Sequence, residues 1–487
     1  MTVKFPSTPD FVGALYAPSR FEGSIRDLEV EGEIPAELNG TFFQVSPDPA
    51  YPPMLGDDIF FNGDGAVTAF RFAGGHVDMQ RRYVETDRFK AQRAARKSLF
   101  GHYRNPYTDD PSVAGLSGGT ANTNIVPFAG KLLALKEDSL PVAMDPDTLE
   151  TIGNWDFNGQ IGNTPFTAHP KRDPSNGSLL AFGYEAGGLA SRDVVYYEFS
   201  ADGTKRREIW IEAPYASMIH DFAVTPNFVV FPIVPITADG DRMVAGGQHF
   251  EWQDDLPFQF GVMRRDGDGS DIRWFTAPAC FQAHVLNAFE DGHRIHLDMP
   301  SSSGNIFQFV QKIGAPAPAP HTFHFELTRW TFDRASDGRD ATRQTLYDAP
   351  CEFPRCDDRV VGLPYRHAVM LGCDMSLYAI DRLGPPPWQF FNQLVHIDVV
   401  AGTAETWCGG DAECFQEATF VQRGENAPEG DGYILALLNH LETHTTELVI
   451  LDTQRVDAGP VARVKLPVRM RMSLHGNWVP GKNIAAA

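Results

Sequence analysis

Long apolar runs are missing from this 487-residue chain. A membrane-crossing helix needs roughly 18 or more consecutive apolar residues, so none is expected. The opening segment MTVKFPSTPDFVGALYAPS has no charged stretch followed by an apolar one, so no secretory leader is expected either. Cysteine is scarce, with six residues at 280, 351, 356, 373, 408 and 414. None of them forms a CxxC pair, and in so long a chain they need not build a disulfide framework. They are expected to be free thiols in a reducing cytoplasm. Basic charge is also short: 41 Lys and Arg face 63 Asp and Glu, a net charge of −22. That balance argues against nucleic-acid binding, which relies on Lys/Arg patches, and against adhesion to an anionic membrane by charge alone. The segment RRYVETDRFKAQRAARK is a local exception. No strict internal repeat is present.

What the chain does contain is strand-like sequence. A hydrophobic content of 43% and a charged content of 21% read as a soluble globular protein. Its length permits a sizeable core. Short β-rich runs broken by Gly, Asp, Asn and Pro recur, among them TAFRFAGGHVDMQRRYVE, DFAVTPNFVVFPIVPI and GYILALLNHLETHTTELVILD. Such spacing predicts an all-β sandwich, barrel or propeller. Two regions depart from it. RFKAQRAARKSLFGHYRNPY (88–107) is the best helical candidate, and GAPAPAPH (314–321) and RLGPPPWQFFNQL (382–394) read as stiff Pro-rich loops.

Four histidines stand in short, strand-like, turn-flanked contexts: His169 in NTPFTAHPKRD, His220 in ASMIHDFAVTP, His284 in CFQAHVLNAFEDG and His475 in RMRMSLHGNWVP. No two are close enough in sequence to share a zinc-type loop, so only the fold can unite them. Imidazoles converging from distant strands suit a borderline transition metal such as Fe(II). Any one histidine alone is more often an ordinary surface or core residue. Three glutamates in apolar settings strengthen the case: Glu137 (LLALKEDSLP), Glu352 (APCEFPRCDD) and Glu417 (CFQEATFVQR). A ligating histidine usually gives its second ring N–H to such a carboxylate, and a bare buried carboxylate is costly.

The segments HVLNAFE from His284 to Glu290, LHGNWVP, HPKRDP, MIHDFAVTPNFVVF and EFPR, with IPAELNGTFFQVSPDP and NGDGAVTAFRF, resemble the carotenoid cleavage oxygenases. The resemblance runs from about residue 25 to residue 480 in the family's order. It implies a seven-bladed β-propeller with a loop and helical cap over the iron face. It also implies one catalytic domain spanning 1–487, with cap segments near 88–120 and 300–325. Inner strands of different blades can aim ligands at a central axis. The resemblance further implies one non-haem Fe(II) held by His169, His220, His284 and His475, with Glu137, Glu352 and Glu417 supporting three of them. Thr123, in GGTANTNIVPF, matches the family's Thr beside an open iron position.

Within the family, Tyr103 (GHYRNPY) and Lys136 (LALKEDSL) resemble the pair with which the stilbene-cleaving branch, the bacterial lignostilbene dioxygenases, contacts a 4-hydroxyl. Strand alternation would point Lys136 and Glu137 to opposite faces. Phe61 and Phe307 are candidate walls for a flat aromatic substrate, though among 35 Phe a plain core role is as good a reading. The implied activity uses O2 to cleave the central double bond of a phenolic 4-hydroxystilbene into two aromatic aldehydes, vanillin among them for a lignin-derived substrate. A cytoplasmic bacterial enzyme and a homodimer are the expected setting. The alternatives are a carotenoid or apocarotenoid oxygenase with the same iron site, a propeller that binds ligands without catalysis, and an isomerase or hydrolase variant.

Overall fold

The computed structural model describes residues 4–307, 310, 323–387 and 389–481. Most of the expected cap segment 300–325 and all of the Pro-rich run 314–321 lie outside the described residues. Among the described residues the strands form seven sheets of four or more strands and one two-stranded sheet. They are the blades of a seven-bladed β-propeller, the fold class that the sequence implies.

The chain divides into two compact units. The first comprises Met1–Asn158, Val369–His396 and Ala404–Ala487. Its five-stranded sheet runs in the order Gly23–Ile25, His76–Tyr83, Gly65–Ala73, Gly40–Pro47 and Gly476–Pro480. The last described strand of the chain therefore pairs with one of the first, and Gln44 lies opposite Gly476. In Gly40–Pro47 every residue is buried. Phe42 enters one apolar cluster while Phe43 and Val45 enter another. Alternate side chains of one strand thus fill the spaces on both sides of its sheet, so the polar alternation of a half-solvated strand is absent. The turn between Gly65–Ala73 and His76–Tyr83 is Gly74–Gly75, both at positive φ (59° and 83°). Two left-handed residues are what a tight hairpin turn requires.

The second unit comprises Gly159–Ala368 and Ile397–Thr403. Burial within its sheets differs from strand to strand. Leu179–Tyr184 is buried throughout, whereas Lys205–Glu212 alternates buried and exposed and Thr342–Tyr347 is largely exposed. The core is aromatic: Phe182, Phe222 and Phe231 pack together, as do Phe260, Trp330 and Phe332. Burying each such ring contributes roughly 1.5–3 kcal/mol.

The helical candidate at 88–107 is shorter than its sequence predicts. The helix covers Asp87–Ala95, starts on a Thr86 cap and ends at Arg96 with φ 54°. Gln92 turns the chain back, its side-chain oxygen accepting from Ser98 Oγ (2.9 Å) and the Leu99 N–H (3.1 Å). The stretch from there to Tyr107 is turns and a short 3-10 segment.

Candidate metal centre

The site residues share one topological rule. His169 lies two residues before the edge strand Lys171–Arg172, His220 three before Ala223–Val224, His284 three before Asn287–Asp291 and His475 one before Gly476–Pro480. Thr123 immediately precedes Asn124–Phe128, the edge strand of its own sheet. Glu352 lies within the edge strand Cys351–Cys356, and Glu417 falls in the gap between Glu413–Phe415 and Thr419–Gln422. Each of the seven sheets thus supplies one of these residues from the first turn or start of an edge strand. At most of these points a buried apolar residue follows closely. Phe222, fully buried two residues beyond His220, is one example.

One ligand nitrogen from each of His169, His220, His284 and His475 lies within 4.8 Å of the others. The Nε2 atoms of His169 and His220 are 3.2 Å apart, and those of His220 and His284 are 3.1 Å apart. For a metal–nitrogen bond of about 2.1 Å, neighbouring ligands stand ~3.0 Å apart in an octahedral site and ~3.4 Å in a tetrahedral one. The observed spacing falls between these, and four neutral imidazoles are a donor set that suits Fe, Zn, Cu or Ni. The residues therefore fit a bound transition-metal ion.

The glutamates act behind the rings. Glu352 accepts from His284 Nδ1 at 2.5 Å, and the same oxygen takes the Phe353 N–H. Phe353 itself adopts φ 51°, a conformation uncommon for a non-glycine residue. Burial raises the pKa of Glu352, but His284, the Phe353 N–H and His220 outweigh it and hold the carboxyl below its usual range. Glu417 divides its oxygens: one accepts from His475 Nδ1 at 2.9 Å, the other from the Gly476 N–H at 2.8 Å. In both pairs an acceptor at Nδ1 keeps the proton there and leaves the Nε2 lone pair for a metal. Glu137 is buried, with the Arg104 guanidinium 4.0 Å away.

Thr123 is buried beside His475, whose backbone N–H donates to the Thr123 carbonyl at 3.2 Å. Its hydroxyl donates to Asn122 Oδ1 at 3.0 Å. Asn122 in turn donates to the carbonyls of Phe61 (2.8 Å) and Gly63 (2.7 Å). Phe61 is half-buried and packs edge-on against Phe60 at 5.3 Å. Phe307 is buried, edge-on to Phe281 at 4.7 Å.

Lys136 and Tyr103 meet. Lys136 Nζ donates to the Tyr103 hydroxyl at 3.2 Å and lies 4.7 Å from its ring centre. The two residues Lys136 and Glu137 follow the strand Lys131–Leu135 and stand in the turn beyond it. Strand alternation therefore does not govern them, contrary to the sequence expectation. Instead the dipeptides Tyr103–Arg104 and Lys136–Glu137 face each other, Lys136 meeting Tyr103 while Arg104 stands near Glu137 and 3.6 Å from Asp138. Burial presses Lys136 toward the neutral amine, but Tyr103, Asp138 and Glu137 together raise its pKa above the ordinary lysine value. Burial also raises the Tyr103 pKa, more than Lys136 lowers it.

Sequence reasoning passed over Asn122, Arg104 and Asp221. Asp221 had a signal: a charged residue between Ile219–His220 and Phe222, all in an apolar run. Asn122 had none, because its partners Phe61 and Gly63 lie far away in the chain.

The family described as retinal pigment epithelial membrane protein matches residues 16–480. Lignostilbene-alpha,beta-dioxygenase isozyme III of Sphingomonas paucimobilis is 45% identical over 99% of this chain and 99% of its own length. Isoeugenol monooxygenase of Pseudomonas nitroreducens is 44% identical over 97% of this chain and 98% of its own. Among solved structures, a lignostilbene dioxygenase of Pseudomonas brassicacearum matches with a TM-score of 0.97 and 52% identity, covering 99% of this chain and 100% of that one. No helix among the described residues is long and apolar enough to cross a membrane.

Proposed function

The chain belongs to the retinal pigment epithelial membrane protein family, the carotenoid oxygenases, and from that membership we propose that it is a non-haem Fe(II) dioxygenase that splits the central C=C bond of 4-hydroxystilbenes. One alkene and one O2 give two aromatic aldehydes, so each carbonyl carbon takes one oxygen atom. When bound, Fe(II) supplies the centre at which O2 is activated.

The observation that carries the substrate reading is the buried contact between Lys136 and Tyr103. A stilbene's phenol oxygen seated there meets a fixed ammonium and a hydroxyl donor. Both favour the phenolate, and donors placed where charge develops are the strongest electrostatic lever a site has. The phenolate pushes electron density through the ring onto the alkene and primes that carbon for oxygen. His169, His220, His284 and His475 would hold the iron, with Glu352 and Glu417 fixing the tautomers of two of them. Glu137 would support one of the remaining two, and Thr123 would stand beside the position left open. Phe61 and Phe307 would wall the aromatic substrate. The whole chain serves as one catalytic domain in this reading, with the segment near 88–120 and the part of 300–325 as its cap.

A second substrate is favoured by the 44% identity to isoeugenol monooxygenase. Isoeugenol shares the 4-hydroxyphenyl head and carries a methyl group where a stilbene has its far ring. The Lys136–Tyr103 pair would bind either head equally. Six free cysteines fit a reducing bacterial cytoplasm, and a homodimer is the assembly we adopt. The test is stoichiometry in air: iron-loaded protein with a 4-hydroxystilbene should consume one O2 for each pair of aldehydes. Oxygen uptake without aldehyde would overturn the assignment.

A further inference from the structure

Three imidazoles cannot aim unprotonated nitrogens at one point without repelling each other, unless a metal or a rigid frame holds them. The second unit carries such a frame. Asp221, directly after His220, is 2% exposed. Its Oδ1 accepts from Lys171 Nζ at 2.7 Å and from the Phe222 N–H at 2.7 Å, while its Oδ2 accepts from the Val285 N–H at 2.7 Å. Lys171 stands two residues after His169, and Val285 directly follows His284. One buried carboxylate therefore ties together the three segments that bear His169, His220 and His284, and it does so through short, charge-assisted bonds. Those same three rings pack pairwise with centroids 4.6, 5.1 and 4.9 Å apart.

We propose that Asp221, with Lys171 as its ionic partner, is the positioning residue that preorganises this three-histidine face for its metal. The proposal rests on reading the histidine cluster as a metal site. It adds to the glutamates, which orient single rings, a residue that sets the spacing between strands. Asparagine at 221 would offer one acceptor oxygen to donors on two sides. Its amide NH2 would confront either the Val285 N–H or the Lys171 and Phe222 donors.

The experiment titrates metal-free, full-length protein with Co(II), following the visible bands of the bound ion, and records the melting temperature of each metal-free variant. Asp221→Asn should weaken Co(II) about 10–100-fold, the usual cost of losing an outer-shell partner. Lys171→Met should weaken it less, because the Phe222 and Val285 bonds survive. Equal affinity of Asp221→Asn and wild type would overturn the proposal, and so would a fall in melting temperature with affinity intact, which marks a purely structural role. If Asp221→Asn does not fold, Lys171→Met decides, and wild-type affinity in that variant refutes the proposal. A wild-type protein that takes up no Co(II) would instead refute the metal reading beneath it.

Discussion

Lys136→Met isolates the electrostatic role of the ammonium. Methionine keeps most of the side chain's reach and removes its charge, so little volume is lost at a position only 4% exposed. Arg104 remains near Glu137 and Asp138 to balance their charge, at 4.0 and 3.6 Å. Removing one member of a buried charge cluster leaves the others less compensated, at a cost of up to about 3–5 kcal/mol. The melting temperature should therefore fall, by less than that cost implies because Arg104 stays beside the two carboxylates, while the iron content of the folded protein should stay close to wild type. Catalysis should not. A hydrogen bond to a charged group contributes ~1.5–3 kcal/mol, and removing one donor to a developing oxyanion costs about 10²–10³ in rate. We expect kcat/KM for a 4-hydroxystilbene to fall by about that factor, with kcat carrying most of the loss, since the phenolate charge matters most as the double bond reacts. The wild-type enzyme should be slow on the 4-methoxy analogue, and the variant should match it within about threefold, because no oxyanion forms. Aldehyde release followed by absorbance, with iron measured on the same sample, gives both numbers. A fully iron-loaded variant that cleaves the 4-hydroxy compound at the wild-type rate would refute the reasoning.

Other perturbations follow from the same geometry. Glu417→Gln should weaken iron more than Glu352→Gln does. Glu417 uses two oxygens for two donors, whereas both donors to Glu352 meet one oxygen that a glutamine carbonyl can replace; outer-shell losses run to about 10–100-fold, and iron retained after dialysis against a chelator gives the ranking. His440, between Glu413 and Glu447, has its pKa raised from 6.5 to about 9, chiefly by hydrogen bonds to those two carboxylates. A raised folded-state pKa contributes stability that is full below the unfolded value near 6.5 and lost as pH climbs through about 9. The stability gap between wild type and His440→Gln, read from denaturant melts, should thus be widest below pH 6.5 and close toward pH 9. A gap independent of pH would contradict that pairing.

The four-histidine cluster was legible because each histidine carries strong local context. A histidine that precedes a β-rich run across a turn, as in MIHDFAVTP and LHGNWVP, marks the start of an edge strand, and all four behave that way. The propeller was legible through the same runs, although only the resemblance fixed seven blades. What stayed hidden depends on contacts between distant segments. Asp221 matters because Val285 and Lys171 reach it, and Asn122 because the backbone around Phe61 bends toward it. The helix that stops at Ala95 is a case of side-chain chemistry overriding propensity. Gln92 bonds forward to Ser98 and Leu99, which the helical pattern of RFKAQRAARK does not reveal. The Lys136–Glu137 step failed as a strand argument because the strand ends one residue too early.

The central claim is that a phenol held by Lys136 and Tyr103 directs an iron-dependent cleavage of the adjacent alkene. Its most direct test compares aldehyde release from a 4-hydroxystilbene, its 4-methoxy analogue and an apocarotenoid by the same iron-loaded protein in air. Rapid cleavage confined to the 4-hydroxy compound is the predicted result. Equal turnover of the hydroxy and methoxy stilbenes, or cleavage of the apocarotenoid alone, would contradict it.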